Sequence, residues 1–120
     1  LMTETILAIS GYRDFYDHEV FETELNKFFK SNGRPTKMIF GECRGTDKLA
    51  LQYAKDNNIP YAVYAADWAK HGTSAGPKRN EKLINDATHL VAFLSPMSKG
   101  TVDAINKAVI KKIPVIQIDI

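Results

Sequence analysis

The residues best suited to chemistry fall in short polar stretches, each just after an apolar run. Ser95-Pro-Met-Ser-Lys-Gly-Thr-Val-Asp103 is the fullest of them. It follows the apolar run His89–Leu94 and precedes the amphipathic run Val102–Ile110, so it reads as the turn between a buried strand and a helix. A helix start exposes unpaired N–H groups and the positive end of the helix dipole, which suits a phosphate or another anion. Ser98, Lys99, Gly100 and Thr101 fit that chemistry. Gly100 admits close backbone approach, Lys99 supplies charge, and Thr101 can cap the helix or donate to a phosphate oxygen. Many strand–helix turns look similar, so other residues must decide whether this one binds a ligand.

Arginine is the side chain suited to bidentate recognition of phosphate or carboxylate. Of the four arginines, Arg13 and Arg44 stand in two further strand-to-helix turns, and Arg79 stands early in the third helix. Only Arg34 stands in a helix-to-strand connection. Carboxylates accompany them at Asp14, Glu42, Asp47, Asp67 and Asp103. Asp47 and Asp103 fall in the first turn of a helix, where the dipole stabilises a carboxylate, and for Asp47 that is the preferred reading. Asp103 stands two residues after Thr101, beside any phosphate held there, and could bond a ribose hydroxyl or act in acid–base chemistry. Asp67 could take a ribose hydroxyl or cap a loop. Tyr12 and Trp68 offer rings on which a base could stack, whereas Phe15 fits the end of the core better.

Several chemistries find no support. The three histidines have no metal-binding spacing, and the one cysteine, Cys43, excludes an internal disulfide and a cysteine-rich zinc site. Cys43 reads as a small, half-buried residue rather than a nucleophile, since no histidine neighbours it in sequence. There is no Walker-type phosphate loop, no Gly-x-Gly-x-x-Gly and no Gly-x-Ser-x-Gly elbow. No metal and no cofactor are expected.

The elements that position these residues alternate regularly. Strands are expected at Glu4–Ser10, Thr36–Phe40, Tyr61–Tyr64, His89–Leu94 and Val115–Ile120. Helices are expected over His18–Lys30, from Thr46 as cap to about Asn58, from Gly76-Pro77 to about Asn85, and over Val102–Ile110. In the first helix Phe21, Leu25, Phe28 and Phe29 share one face, and Gly33 fits its C-terminal cap. Ala65–Ala75 reads as the longest irregular connection. This order predicts an α/β fold: an open parallel sheet of about five strands with helices on both faces. Its strand-to-helix turns share one edge, where such sheets bind ligands.

With 120 residues, 44% apolar and 25% charged, one globular domain spanning 1–120 is expected. No apolar run reaches membrane-spanning length, and the start has neither the basic cluster nor the apolar length of a secretory leader. A net charge of +2 and a single cysteine fit a cytoplasmic protein that binds neither membrane nor nucleic acid.

Five segments taken in order resemble the small cpYpsA-related (YspA-like) group of the SLOG superfamily. They are Gly11-Tyr-Arg-Asp-Phe15, Gly41-Glu-Cys-Arg-Gly-Thr-Asp47, Ala66-Asp-Trp68, Gly76-Pro-Lys-Arg-Asn80 and Ser98-Lys-Gly-Thr101. The resemblance covers nearly the whole chain and implies a Rossmann-like domain that binds nucleotides or nucleotide-derived ligands. It adds Gly11, Gly41, Gly45 and Asn80 to the expected ligand-binding residues. More distantly, the chain is similar to the Lonely-guy phosphoribohydrolases and to DNA-processing protein A. The former cleave the N-glycosidic bond of nucleoside monophosphates. Their Pro-Gly-Gly-x-Gly-Thr-x-Glu motif resembles Ser95–Asp103, with Gly100 and Thr101 in place, Asp103 where they carry glutamate, and Met97-Ser98 in place of their Gly-Gly. Their catalytic arginine is similar in place to Arg79.

Two functions follow from that resemblance. One is a sensor or sequestering module for a nucleotide or nucleotide-derived small molecule. The alternative is a metal-independent N-glycosidic hydrolase in which Arg79 and Asp103 are catalytic. Single-stranded nucleic acid binding ranks third, because no broad basic surface is evident. The shortened carboxylate at Asp103 favours binding over turnover, and the Lonely-guy relatives imply a homodimer.

Overall fold

In the three inner strands, alternate residues face opposite layers of helices. Leu7, Ile9, Met38, Phe40, Val91 and Phe93 point to one side, where Phe21, Leu25 and Phe28 of one helix and Ala50, Tyr53 and Ala54 of the next close a core. Ala8, Ile39, Leu90 and Ala92 point to the other, against Leu83, Ile84, Ala104 and Ala108. Strands buried on both faces should be apolar throughout, as these are. This computed structural model describes residues 4–120; the first three residues of the expected leader-free start lie outside that range.

The element order is β1 (Ile6–Gly11), α1 (His18–Asn32), β2 (Lys37–Phe40), α2 (Thr46–Asp56), β3 (Tyr61–Val63), α3 (Trp68–His71), a 3-10 turn (Gly72–Ser74), α4 (Ala75–Asp86), β4 (His89–Leu94), α5 (Lys99–Lys111) and β5 (Val115–Asp119). The five strands are all parallel and run β3-β2-β1-β4-β5 across the sheet. The chain therefore builds outwards from β1 to one edge, then crosses back to begin the other half at β4. Crossovers of one hand that run in opposite directions fall on opposite faces. This places α1 and α2 on one side and α4 and α5 on the other, an α/β Rossmann-like fold. Phe93 ties the centre together, stacking on Phe21 at 5.0 Å and on Phe15 at 5.2 Å between ring centroids.

The expected elements are all present, with shifted ends. Gly33, at φ 82°, closes α1, and its N–H donates to Phe29 O at 2.7 Å. Two differences bear on function. The stretch expected to be irregular contains α3, whose Asp67 side chain accepts from Lys70 N at 3.1 Å, and the 3-10 turn. In addition, α5 starts at Lys99 rather than Val102, with Ser98 as its N-cap and a bond from Val102 N to Ser98 O at 3.1 Å closing its first turn. Lys99, Gly100 and Thr101 are therefore the first helical turn, not a loop preceding it.

Candidate functional site

Because β1 and β4 are neighbours whose following chains diverge to opposite faces, a crevice opens beyond their carboxyl ends. It holds a cavity of about 590 Å³, within the range of small-molecule sites. β1 and its following loop contribute Gly11, Tyr12, Arg13 and Asp14, and the end of β2 contributes Gly41. Trp68 of α3 and Arg79 and Asn80 of α4 close a second side. Ser98, Lys99, Gly100, Thr101 and Asp103 form the third.

The start of α5 faces this cavity with the donors of its first turn. Ser98 does not cap it with its side chain; Ser98 Oγ accepts from Ser95 N at 3.1 Å, tightening the Ser95–Ser98 turn. Lys99 N donates to Met97 O at 3.3 Å, which leaves the Gly100 and Thr101 N–H groups available to a ligand. Thr101, only 3% exposed, lines the cavity from the same turn.

Asp103 is held at both of its carboxylate oxygens. Its Oδ1 accepts from Lys107 Nζ at 2.6 Å and its Oδ2 from Asn80 Nδ2 at 3.1 Å. Asn80 Nδ2 also donates to Gly100 O at 3.1 Å, and Asn80 Oδ1 accepts from Arg79 Nε at 3.0 Å. Arg79 Nη1 donates to Tyr64 O at 3.3 Å. A polar chain thus runs from the end of β3 through α4 into α5, and it fixes Arg79 and Asp103 in the wall.

Asp47 has a larger part than its helix-start position suggested. It is buried, lines the cavity, and its Oδ2 accepts from Cys43 N at 3.0 Å. Burial pushes its carboxyl up to about 6, against the opposing pull of the Cys43 amide, the Arg79 guanidinium and the Gly41 amide. Asp47 Oδ2 and Arg79 Nη1 both sit against the α-carbon of Gly41, where a Cβ would overlap the guanidinium and stand 2.8 Å from the carboxylate oxygen. Gly41 is thus a glycine because two charged groups use the space of its side chain. Asp47 went unread as a site residue, although a signal existed. Helical side chains lean towards the N-terminus, so an aspartate in the first turn reaches back into the preceding loop.

Three expected residues do not line the cavity and serve its frame. Arg44 Nε is paired with Asp14 Oδ1 at 2.7 Å on the surface, and that guanidinium holds the Asp14 carboxyl below its ordinary value. Gly45, at φ 72°, lies against the backbone of Arg13, with Tyr12 O only 2.9 Å from where a Cβ would stand. Beside it, Thr46, expected as a cap, instead donates through Oγ1 to Tyr12 O at 2.8 Å. Together they fasten the β2–α2 loop to the β1–α1 loop. Asp67 caps α3. Cys43 is exposed rather than half-buried and lines the cavity.

At the rim, Trp68 is 56% exposed, and its indole lies 3.4 Å from the place of a Cβ on Gly76. Tyr12 Oη approaches Met97 Sδ at 3.9 Å on the opposite lip. Aromatic rings thus join charged and polar side chains in the lining, a mixture suited to a ligand with an anionic end and a ring. Among the described residues, no group of three or more His, Cys, Asp or Glu side chains is placed to hold a metal ion. No helix among the described residues is long and apolar enough to cross a membrane.

Comparison with known families gives one match. The family model described as YspA, cpYpsA-related SLOG family matches residues 5–71, which carry β1 to α3 and three of the loops that form the crevice. No match was found among curated proteins or among solved structures.

Proposed function

The chain belongs to the YspA, cpYpsA-related SLOG family, and on that basis we propose that it is a cytoplasmic sensor or sequestering module for a phosphorylated, nucleotide-like small molecule. The observation that carries the reading is the start of α5 opening, together with Arg13, Arg79 and Lys99, on one cavity where the strand order reverses. The phosphate lies against the amides of Gly100 and Thr101 and the Thr101 hydroxyl. The sugar lies over Asn80 and the floor, and the base stacks towards Trp68 or Tyr12.

Binding is preferred to N-glycosidic cleavage because both oxygens of Asp103 are engaged by Lys107 and Asn80. A carboxylate so held is a poor base for activating water. The modest net charge of +2 favours a small ligand over single-stranded nucleic acid. The proposal includes a homodimer, for which Val109 and Ile110 of α5, 61% and 80% exposed, supply apolar surface.

The test is calorimetry with AMP, cyclic AMP and ADP-ribose, together with mass spectrometry of the same mixtures. Thr101→Val and Arg79→Ala are each expected to weaken binding about 10- to 100-fold, as loss of a hydrogen bond to a charged group does. Absence of binding by all three nucleotides rejects the reading. Release of free base that Asp103→Ala abolishes moves the protein to the enzyme alternative. Sedimentation velocity tests the dimer, and Ile110→Lys is expected to yield monomer.

A further inference from the structure

Each of the other carboxylates that line the cavity has a cation of its own. Asp14 is paired with Arg44 at 2.7 Å and Asp103 with Lys107 at 2.6 Å. Asp47, the most buried of the three, has no such ion pair among the described residues. The charge that most favours its ionised form is Arg79, across the bare α-carbon of Gly41. Yet Arg79 faces the cavity with the guanidinium hydrogens that Tyr64 O and Asn80 Oδ1 leave free. One guanidinium thus serves two anions, one fixed in the protein and one arriving with the ligand.

We propose that Asp47 and Arg79 form a proton-linked anion receptor in the floor of the crevice, in which an anionic ligand engages Arg79 and a proton moves from solvent onto Asp47. This rests on the reading of the crevice as a site for a phosphorylated ligand. It makes Asp47 a member of that site and binding dependent on pH.

The physical steps are simple. With the crevice free of anions, Arg79 offsets part of the desolvation of Asp47. When an anion binds Arg79, that offset is shared, and the new negative charge repels the buried carboxylate. Both effects favour the protonated acid. The other charged groups do not replace the lost counter-charge. Lys48, next along α2, is exposed to solvent. Arg13 and Lys99 are also exposed and are themselves candidates to bind the anion. Asp14 and Asp103 add negative charge already balanced by their partners, and the Cys43 amide already donates to Asp47.

The linkage has a defined sign. Asp47 titrates near pH 6 without an anion and higher with one, so affinity is greatest at low pH and falls as pH rises from about 6 through the bound-state midpoint.

The experiment follows the Asp47 carboxyl carbon by NMR in the wild-type protein from pH 4 to 9, alone, with sulfate, and with AMP. Sulfate keeps a fixed charge over this range. The expected result is an upward move of the Asp47 midpoint by about one unit or more with either anion. A midpoint that sulfate leaves in place or lowers overturns the proposal. AMP binding with an unmoved midpoint overturns the linkage and leaves the nucleotide reading intact. A midpoint raised by sulfate, with no AMP, cyclic AMP or ADP-ribose binding, upholds the receptor and rejects the nucleotide reading.

Calorimetry on Asp47→Asn supplies a second measurement. This variant is expected to bind AMP more tightly than wild type at pH 7.5, by up to about thirtyfold, because no proton must be taken up. Weaker binding at every pH would mean that the ligand bonds an ionised Asp47, and would also overturn the proposal.

Discussion

A methyl group on Gly41 would overlap the Arg79 guanidinium and stand 2.8 Å from Asp47 Oδ2. Arginine is flexible, so Gly41→Ala is expected to fold with about 1–3 kcal/mol less stability, as crowded sites do. It should lose at least about tenfold in AMP affinity as Arg79 swings away. Thermal melts and calorimetry on the same sample separate the two effects. Asp47 also sets a pH dependence of stability. Its carboxyl goes from an ordinary 3.8 in the unfolded chain to about 6 in the fold. Below 3.8 both states are protonated and nothing is lost. As pH rises from 3.8 to about 6 the unfolded chain ionises while the buried acid stays protonated, so up to about 3 kcal/mol of stability is lost, and the loss is complete above 6. Asp47→Asn should therefore raise the melting temperature at pH 7.5 and leave it nearly unchanged at pH 4. The residue types at this site were legible as a set of loop arginines, aspartates and glycines. What could not be read was which carboxylate is buried. That depends on α4 carrying Arg79 across Gly41, a meeting of groups 38 positions apart in sequence. Asp103 and Asp47 look alike at the start of their helices, and only packing gives one a lysine and buries the other.

The helix that carries Arg79 and Asn80 is anchored at its far end by a neighbour. Lys111 Nζ, at the end of α5, donates to the carbonyls of Ile84, Asn85 and Ala87 at 2.9, 2.7 and 2.9 Å. These carbonyls lie at the end of α4, where Ile84 O also accepts from the Ala87 amide at 3.1 Å, and a cation there complements the dipole. Lys111→Met keeps the apolar stem and removes those bonds. It is expected to lower stability by about 1–3 kcal/mol in urea denaturation. α5 was legible because its apolar pattern repeats at helical spacing, and α4 because Gly76-Pro77 marks its start. α3 has four residues, too few for a repeat to show, and is set by the Asp67 cap and its own backbone. The start of α5 was misplaced for a related reason. Ser98 and Gly100 are turn-forming types, yet Ser95 N bonds Ser98 Oγ and brings the chain into the helix a turn early. The shift favours the proposed anion site, since three candidate residues become the helix's own first turn.

At the scale of the whole molecule, the crevice is where groups from both halves of the sheet would meet the proposed ligand. Alternating strands and helices sufficed to foresee a parallel sheet, but strand order is a matter of pairing between distant segments. Only with β1 between β2 and β4 do the Gly41 and Ser98–Thr101 ends lie on either side of the same crevice. A ligand seated there touches the β1–α1 loop, the end of β2, the start of α4 and the start of α5. It should therefore stabilise the domain as a unit. At 100 times its Kd a ligand adds about 2.7 kcal/mol, which for a domain of this size is a rise of roughly 10 °C in Tm. Hydrogen exchange should show where the coupling lies. With saturating AMP, amides of the Tyr12–Asp14 loop and of Ser98–Thr101 are expected to slow together, whereas amides on the outer side of β3 and β5 keep their rates. Slowing confined to one of the two segments would mean that the ligand sits on one half of the sheet, and the crevice between β1 and β4 would not be its site.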